Sequence, residues 1–321
     1  MRTFFKKYSY QLLAWTIFIL SLLFFYHRFY ILSNKIDGNH LTVLLQNIDV
    51  FILMWVLVLV IANWGIEAVK WKFVNKPIEP ISLLSSFKAV LMGVAVSNIF
   101  PNRTGEFIGK VMVLSKSNRV KGILSSLLAS LAQLSVTLLM GVGAMLFITS
   151  FYYVPVLYIV ILTTITVLLF VFFKPIIRLL SLFCPNKWLA FVYFVKAYTF
   201  YDILRLIGLS MIRYMVFTFQ LYLLFMALGV NFHFVNFLPY AALSFLLTTI
   251  IPTTSLSELL VRSNIGILIF TELYINDVVI IMAYTLLWFF NILLPSLMGF
   301  YLGLKKNWYY SSKSSSSFSG K

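Results

Sequence analysis

Long unbroken apolar runs dominate the chain, in place of the amphipathic stripes of a soluble fold. Residues 10–32, 51–68, 123–149, 152–173, 203–229 and 278–304 form six such runs. A helix needs about 20 residues to cross a hydrocarbon core, and each run approaches or exceeds that length. Two further apolar regions, 81–113 and 234–273, are each split near the middle by a proline and a polar cluster. The first break contains Asn98, Pro101, Arg103 and Glu106; the second contains Thr248, Pro252, Thr253 and Glu258. Proline removes a helical donor and pushes its predecessor out of the helical region. Irregular backbone at membrane depth is tolerated only inside protein or beside water. Each broken region therefore predicts a re-entrant helical hairpin, with two short tilted spans as the alternative. The expected fold is an all-α integral membrane protein of about six transmembrane helices plus two re-entrant hairpins.

Segment 174–202 is too polar at intervals to span. It mixes Lys187, Lys196 and Asp202 with Phe183, Trp188 and Phe191, and Pro185 interrupts it. This pattern predicts one or two interfacial helices on the cytoplasmic face. The Ser-rich tail, 311–321, predicts disorder after a single membrane domain over 1–310.

Composition supports this picture. Hydrophobic residues make up 61% of the 321 and charged residues 11%, more apolar surface than a soluble domain of this size hides. Aromatic residues, at 18%, suit belts at the two interfaces. The formal charge of +16 sits at the ends of the apolar runs, so it points to orientation and anionic headgroups and away from nucleic acid. With the N-terminus inside and both broken regions turning back, Lys70, Lys72, Lys76, Lys116, Arg119, Lys121, Lys174, Arg178, Lys187, Lys196, Lys305, Lys306 and Lys313 all fall inside. Outside remain Arg28 and Lys35, opposed by Asp37 and Asp49. This is a positive-inside pattern and predicts both termini on the cytoplasmic side of the cell membrane. Arg2, Lys6 and Lys7 precede the first run and no small-x-small site follows it, so it reads as an uncleaved signal anchor.

The two breaks resemble each other. Pro101 is followed by Glu106 and Lys110, and Pro252 by Glu258 and Arg262. In both, acid precedes base by four residues, the favourable order on one helical face. With the predicted topology, 50–149 and 203–304 become inverted repeats, an arrangement that places transporter sites where broken helices meet at the midplane.

Arg103, Glu106, Lys110, Glu258 and Arg262 are the candidate substrate-binding residues, with Arg213 beside them. Ionisable groups at this depth cost about 2.5–3.5 kcal/mol each even on lenient scales. One reading is two self-satisfied ion pairs that fix the hairpin tips, with Lys110 at the cytoplasmic surface. The other is an anion site. Helix N-termini after each proline favour a phosphate, and Arg103 and Arg262 offer planar charged forks to it. Ser255 and Glu258 fit a capping box. The carboxylates could balance the arginines, bind a cationic headgroup or carry a coupling proton. Arg213 shares a face with Gln220 and either lines a cavity or snorkels. Asn63 and Glu67 share a face on the second run, where Glu67 reads as a boundary partner of Lys70. Gln133 and Thr137 read as interhelical hydrogen-bonding positions, and Gly141 and Gly143 as packing contacts.

Catalytic signatures are absent. His27, His40 and His233 are the only histidines, and Cys184 is the only cysteine, which rules out an intramolecular disulfide or a thiolate metal cluster. No zinc motif, nucleophile elbow, P-loop or dinucleotide fingerprint occurs, and Asp37, Asp49, Asp202 and Asp277 are scattered. No enzyme activity, metal or cofactor is expected.

The stretch from Asn63 through Glu67, Lys70 and Trp71, then from Gly93 through Ser97, Pro101, Arg103, Gly105, Glu106 and Gly109 to Lys110, resembles the membrane domain of the lysylphosphatidylglycerol synthase/flippase family. Gln133 and Gly141 continue the likeness, and the stretch from Pro252 to Arg262 matches the family's second half more loosely. The resemblance covers roughly residues 50–300. It implies movement of lipid headgroups between leaflets. Some members make and flip aminoacylated phosphatidylglycerol, and archaeal relatives are associated with a sugar-charged dolichol phosphate. The soluble aminoacyl-transferase module is missing, so the chain is expected not to synthesise lysyl-lipid by itself. Where a glycine-rich second tip is expected, Thr253 and its neighbours stand. The first expectation is a translocase of a phosphate-bearing lipid, polyprenyl-linked or aminoacylated, with membrane lipids as its partners. The alternatives are a small-solute or ion-coupled transporter, a membrane partner of an envelope-lipid enzyme, and an intramembrane enzyme.

Overall fold

The computed structural model describes residues 48–98, 103–148, 197–251, 253 and 255–303, with isolated positions at Leu23, Tyr26, Thr164 and Phe194. The runs at 10–32 and 152–173, most of segment 174–202, the tail, Cys184, Pro101 and Pro252 lie outside the described residues.

Among the described residues the secondary structure is helical. Helix α1 covers Val50–Asn75, α2 Leu83–Ser97, α3 Gly105–Val111 and α4 Arg119–Ala144. Helix α5 covers Phe200–Ala227, α6 Phe234–Ile250, α7 Ser255–Phe270 and α8 Asp277–Trp288. A π turn at Phe289–Leu293 continues α8, and helix resumes to Gly303. Four helical stretches are long and apolar enough to span a bilayer: Val50–Asn75, Lys116–Ala144, Phe200–Ala227 and Asp277–Gly303. They coincide with four of the six predicted runs. The chain is thus a multi-pass integral membrane protein. Helix α1 outlasts its apolar run because its last turns face protein: Glu67, Lys70, Trp71 and Asn75 are buried. Pro77 and Pro80 then keep helix from continuing.

Helix starts are fixed locally. Asp49 Oδ1 accepts from the Phe51 and Ile52 amides at 2.9 and 3.2 Å. Ser82 caps α2, Asn276 caps α8, and Thr199 with Asp202 forms a full capping box on α5. These caps satisfy amides that the helical ladder leaves without partners.

Packing is set by a few cross-ties. Helices α1 and α5 run antiparallel. The Asp49 amide donates to the Ala227 carbonyl at 3.1 Å, and the Tyr198 hydroxyl donates to the Val74 carbonyl at 2.5 Å at the opposite end. Both broken regions fold back on themselves. In the second, the Phe270 ring at the end of α7 lies 5.3 Å from that of Phe237 at the start of α6. In the first, α2 and α3 touch through backbone. A Cβ built on Gly109 would sit 2.5 Å from the Met92 carbonyl oxygen and 2.6 Å from Gly93 Cα. The far end of α8 closes on the same helix, since a Cβ on Gly299 would collide with the Leu91 carbonyl. Gly141 meets Leu246 between α4 and α6, as expected for a packing contact, whereas Gly143 has nothing within 4 Å and is not one.

Two buried cores result. One joins Trp64, Trp71, Val90, Leu114, Leu128 and Leu206 around α1–α5. The other is aromatic, with Phe225, Phe237, Phe270 and Tyr284 at its centre. Outside them, Phe51, Met54, Trp55, Val58 and Ile61 of α1 are exposed apolar side chains, the surface expected against lipid.

Glu79, in the connection between α1 and α2, holds the loop before α4. Its Oε2 accepts from Asn118 Nδ2 at 2.9 Å, from the Ser115 hydroxyl at 2.7 Å and from the Ser115 amide at 3.1 Å. These donors, Asn118 foremost, hold its carboxyl below the ordinary value against the opposing effect of burial. A depressed carboxyl stabilises above its unfolded value of about 4.3 and loses that contribution as pH falls through the folded value. Melting of wild type and Glu79→Gln in detergent, compared across pH, should show this acid-side loss in wild type only. A second expectation concerns helix contact: Gly109→Ala should lower the melting temperature clearly, at an overpacking cost of about 1–3 kcal/mol, while Gly143→Ala should leave it within error or raise it slightly.

Candidate functional site

Five elements bring charge into the protein interior. Helix α1 supplies Asn63, Glu67 and Lys70, all 3% exposed or less. Their spacing of four and then three puts them on one helical face. Helix α3 supplies Glu106 and Lys110, and α5 supplies Arg213. Arg103 precedes α3, and Glu258 and Arg262 lie one turn apart on α7.

Glu67 is the hub. Its Oε1 accepts from Lys110 Nζ at 2.7 Å, while Oε2 faces Arg213 at 3.0 Å and Lys70 at 3.2 Å. Lys110 also pairs with Glu106 at 2.5 Å, and its ammonium sits 5.9 Å from the centre of the Trp71 ring. Lys70 donates to Gln133 Oε1 at 3.1 Å, and Gln133 Nε2 donates to the Ser210 carbonyl at 3.3 Å. Arg213 Nε donates to Asn63 Oδ1 at 3.1 Å, and Asn63 Nδ2 donates to Asn291 Oδ1 at 3.0 Å. Asn291 lies in the π turn of α8. The wider turn there lets a buried amide face α1 while its own Nδ2 donates to the Leu287 carbonyl at 3.2 Å.

A second cluster joins the two breaks. Arg262 donates to Glu258 Oε1 at 2.7 Å, and Arg103 approaches Oε2 of the same carboxylate at 3.2 Å. Arg103 has φ of +55°, in the left-handed region that a residue with a Cβ seldom adopts. Such a conformation persists only where surrounding contacts fix it. Here the Glu258 pair, formed across the two breaks, is one such contact.

Between the clusters lies a cavity of about 470 Å³. Arg103, Arg213, Arg262 and Glu258 reach it, with Asn63, Gln133 and Asn291 on one side and Thr248, Thr249 and Thr253 on another. Trp64 and Phe217 are its aromatic walls, and they carry the guanidinium groups of Arg213 and Arg262 over their rings at 5.2 and 5.7 Å. The lining has charged donors and neutral hydrogen-bonding groups. Such a lining can hold a polar, anionic group.

The structure thus brings Arg103, Glu258, Arg262 and Arg213 together at one cavity. Glu106 and Lys110 stand behind it, linked through Glu67. Four expectations change. Lys110 is 1% exposed, not a surface lysine, because Gly93 and Gly109 draw α3 tightly against α2. Glu67 is no boundary pair: it reaches Lys70 as expected, but both are buried and two further cations share the carboxylate. Lys70 therefore does not act as a headgroup-facing positive charge. Ser255 is the first residue of α7, not its cap, and both Glu258 oxygens are occupied by arginines. Smaller revisions follow. Gln133 does bridge helices, whereas the Thr137 hydroxyl donates to its own helix at Gln133. Arg213 lines the cavity, but Gln220, on the same face, donates instead to the Val56 carbonyl at 3.3 Å.

Asn63 is read from the sequence only as sharing a face with Glu67, and Asn291 is not singled out at all. The α1 spacing of Asn63, Glu67 and Lys70 was a usable signal, since three polar residues on one face of a span need a polar partner. Asn291 gave none.

The geometry agrees with comparison to known families. The family model described as lysylphosphatidylglycerol synthase TM region matches residues 11–268 of the chain. The chain belongs to this family. The matched region takes in α1 through most of α7, and so every charged residue of the site. The match is to the membrane region of the family, and no synthase domain is detected in the chain. No curated protein matches the sequence.

Removing the hub carboxylate should be costly. Glu67→Gln leaves buried Lys70 and Lys110, and half-buried Arg213, with one negative partner fewer. Breaking a buried pair in this way costs about 3–5 kcal/mol. The expected result is a large fall in melting temperature for Glu67→Gln, and a much smaller one for Arg103→Gln, whose side chain is 36% exposed.

Proposed function

We propose that this chain is a translocase for a phosphate-bearing lipid. The observation that carries the reading is the cavity itself: three arginines and one glutamate meet there, drawn from both broken regions and α5. A phosphate bound by Arg103 and Arg262 would displace part of Glu258's hold on them. The carboxylate thus balances the arginines in the empty site. Trp64, Phe217 and the threonines around Thr253 give the headgroup a wall that mixes polar and apolar surface. The acyl or prenyl chains would stay in the surrounding lipid.

The two fold-back units, α2–α3 and α6–α7, are read as re-entrant hairpins related as inverted repeats, 50–149 and 203–304. The shared acid-before-base spacing and the Arg103–Glu258 link between the breaks support this. Rocking of one unit against the other would open the cavity to each leaflet in turn. The basic flanks support cytoplasmic termini and a single membrane domain. The family's link to aminoacyl-lipid movement supports lipid as the cargo.

Reconstitution tests the proposal. Proteoliposomes carrying fluorescent phosphatidylglycerol, phosphatidic acid or a polyprenyl phosphate report movement as label becoming accessible to a quencher in the opposite leaflet. Wild type should move at least one of these faster than empty liposomes. Arg262→Ala should slow it at least about tenfold, the loss of one charge-assisted contact. Rates equal to empty liposomes for all three lipids would sink the reading.

A further inference from the structure

The site is not electrically neutral. Its interior pairs join Lys70, Lys110, Arg103, Arg213 and Arg262 to Glu67, Glu106 and Glu258. That is five cations against three carboxylates, an excess of two positive charges. The cavity lining alone gives the same figure, with three arginines and one glutamate. The four charges behind it, Glu67, Glu106, Lys70 and Lys110, cancel.

Among the described residues no other carboxylate pairs with these cations. The chain has nine acidic residues. Asp49 caps α1, Glu79 holds Ser115 and Asn118, and Asp202 completes the box on α5. Glu272 and Asp277 lie in the turn between α7 and α8 and in the first turn of α8. Asp37, the ninth, is outside the described residues. The excess is carried by arginines that are 15–36% exposed where they line the cavity, so an anion entering there meets two positive charges that the described carboxylates do not match. Trp64 borders the cavity with its indole Nε1 buried and without a hydrogen-bond partner.

Resting on the translocase reading above, we infer that the cavity takes a multiply charged phosphate, a terminal phosphomonoester or a diphosphate, in preference to the monoanionic diester of an ordinary phospholipid. A phosphomonoester carries about −1.5 to −2 charges at neutral pH, because its second ionisation lies near pH 6. A diester carries one. Only the former matches the site in charge, and its extra terminal oxygen offers another acceptor to the arginine forks. The volume of about 470 Å³ admits a headgroup of this size.

Binding to the full chain in detergent tests this by thermal stabilisation titrations. The probes are farnesyl phosphate, farnesyl diphosphate, dihexanoyl phosphatidic acid and dihexanoyl phosphatidylglycerol, with inorganic phosphate and pyrophosphate as headgroup-only arms. The monoesters and the diphosphate should bind at least about tenfold tighter than dihexanoyl phosphatidylglycerol. Arg262→Gln should reduce that preference to about threefold or less. Arg103→Gln, at a partly exposed side chain, gives the same readout should Arg262→Gln fold poorly. Phosphatidylglycerol binding as tightly as the monoesters overturns the inference while leaving a phosphate-lipid site in place. Pyrophosphate binding as tightly as farnesyl diphosphate keeps the preference for a multiply charged phosphate but overturns lipid as the cargo. Failure of every phosphate probe to bind overturns both.

Discussion

Glu67 is the constraint on which the rest of the interior depends. A carboxylate within an apolar span is unfavourable unless cations meet it, and here three do. Each comes from a different direction. Lys70 lies one turn along α1, Lys110 arrives on α3, and Arg213 crosses from α5. To satisfy one carboxylate, the protein must seat α3 against α2 and hold α5 beside α1. Gly93 and Gly109 allow the first contact, since any side chain at Gly109 would strike the Met92 carbonyl. The end ties at Asp49 and Tyr198 fix the second. The polar interior and the helix packing are therefore one solution, not two.

That arrangement explains why the cavity is polar on one wall and apolar on another. Glu67 turns Arg213 so that its Nε meets Asn63 and its plane rests on Trp64. Asn63 in turn requires Asn291, and α8 meets that demand with a π turn. On the far wall, Arg262 rests on Phe217 and is held by Glu258. The arginines are positioned by aromatic faces and carboxylates before any ligand arrives. Such preorganisation lowers the ordering cost of binding.

Much of this could be read from the chain, for physical reasons. A bilayer demands long apolar runs, so α1, α4, α5 and α8 were visible as spans. A proline with polar neighbours interrupts such a run, so both breaks were visible, as were the i,i+4 pairs that follow them. Their meeting was not visible. Arg103 and Glu258 sit in different halves of the chain, and no local spacing records their 3.2 Å approach. Glu67 was visible as a charge but not as a hub, because its partnership with Lys110 spans 43 positions. Asn291 was hidden in an apolar stretch, and π turns leave no dependable periodic signature. Of the two readings of Lys110, the one that puts it at the cytoplasmic surface fails, because a lysine after a break also reads as an interfacial residue. Its burial depends on glycines in two helices that only the fold brings together.

The Arg103–Glu258 pair differs from the rest of the network in a way that bears on movement. The centre of the Glu67 cluster is sealed, with Lys70, Lys110 and Glu67 exposed by 4% or less, while Arg213 and Glu106 at its edge are about one-fifth exposed. Buried pairs of this kind hold position because opening them exposes bare charge. Arg103 is 36% exposed, sits in a left-handed backbone conformation, and shares its carboxylate with Arg262. Its pair with Glu258 can open at far lower cost, since Arg262 remains to neutralise the carboxylate and solvent can reach the guanidinium. The molecule thus has a rigid charge cluster behind the cavity and a labile one at its rim. The labile pair is also what links the two broken regions. On the proposed translocase reading, an anion that draws Arg103 away would loosen that link directly and so couple headgroup binding to the relative freedom of the two broken regions.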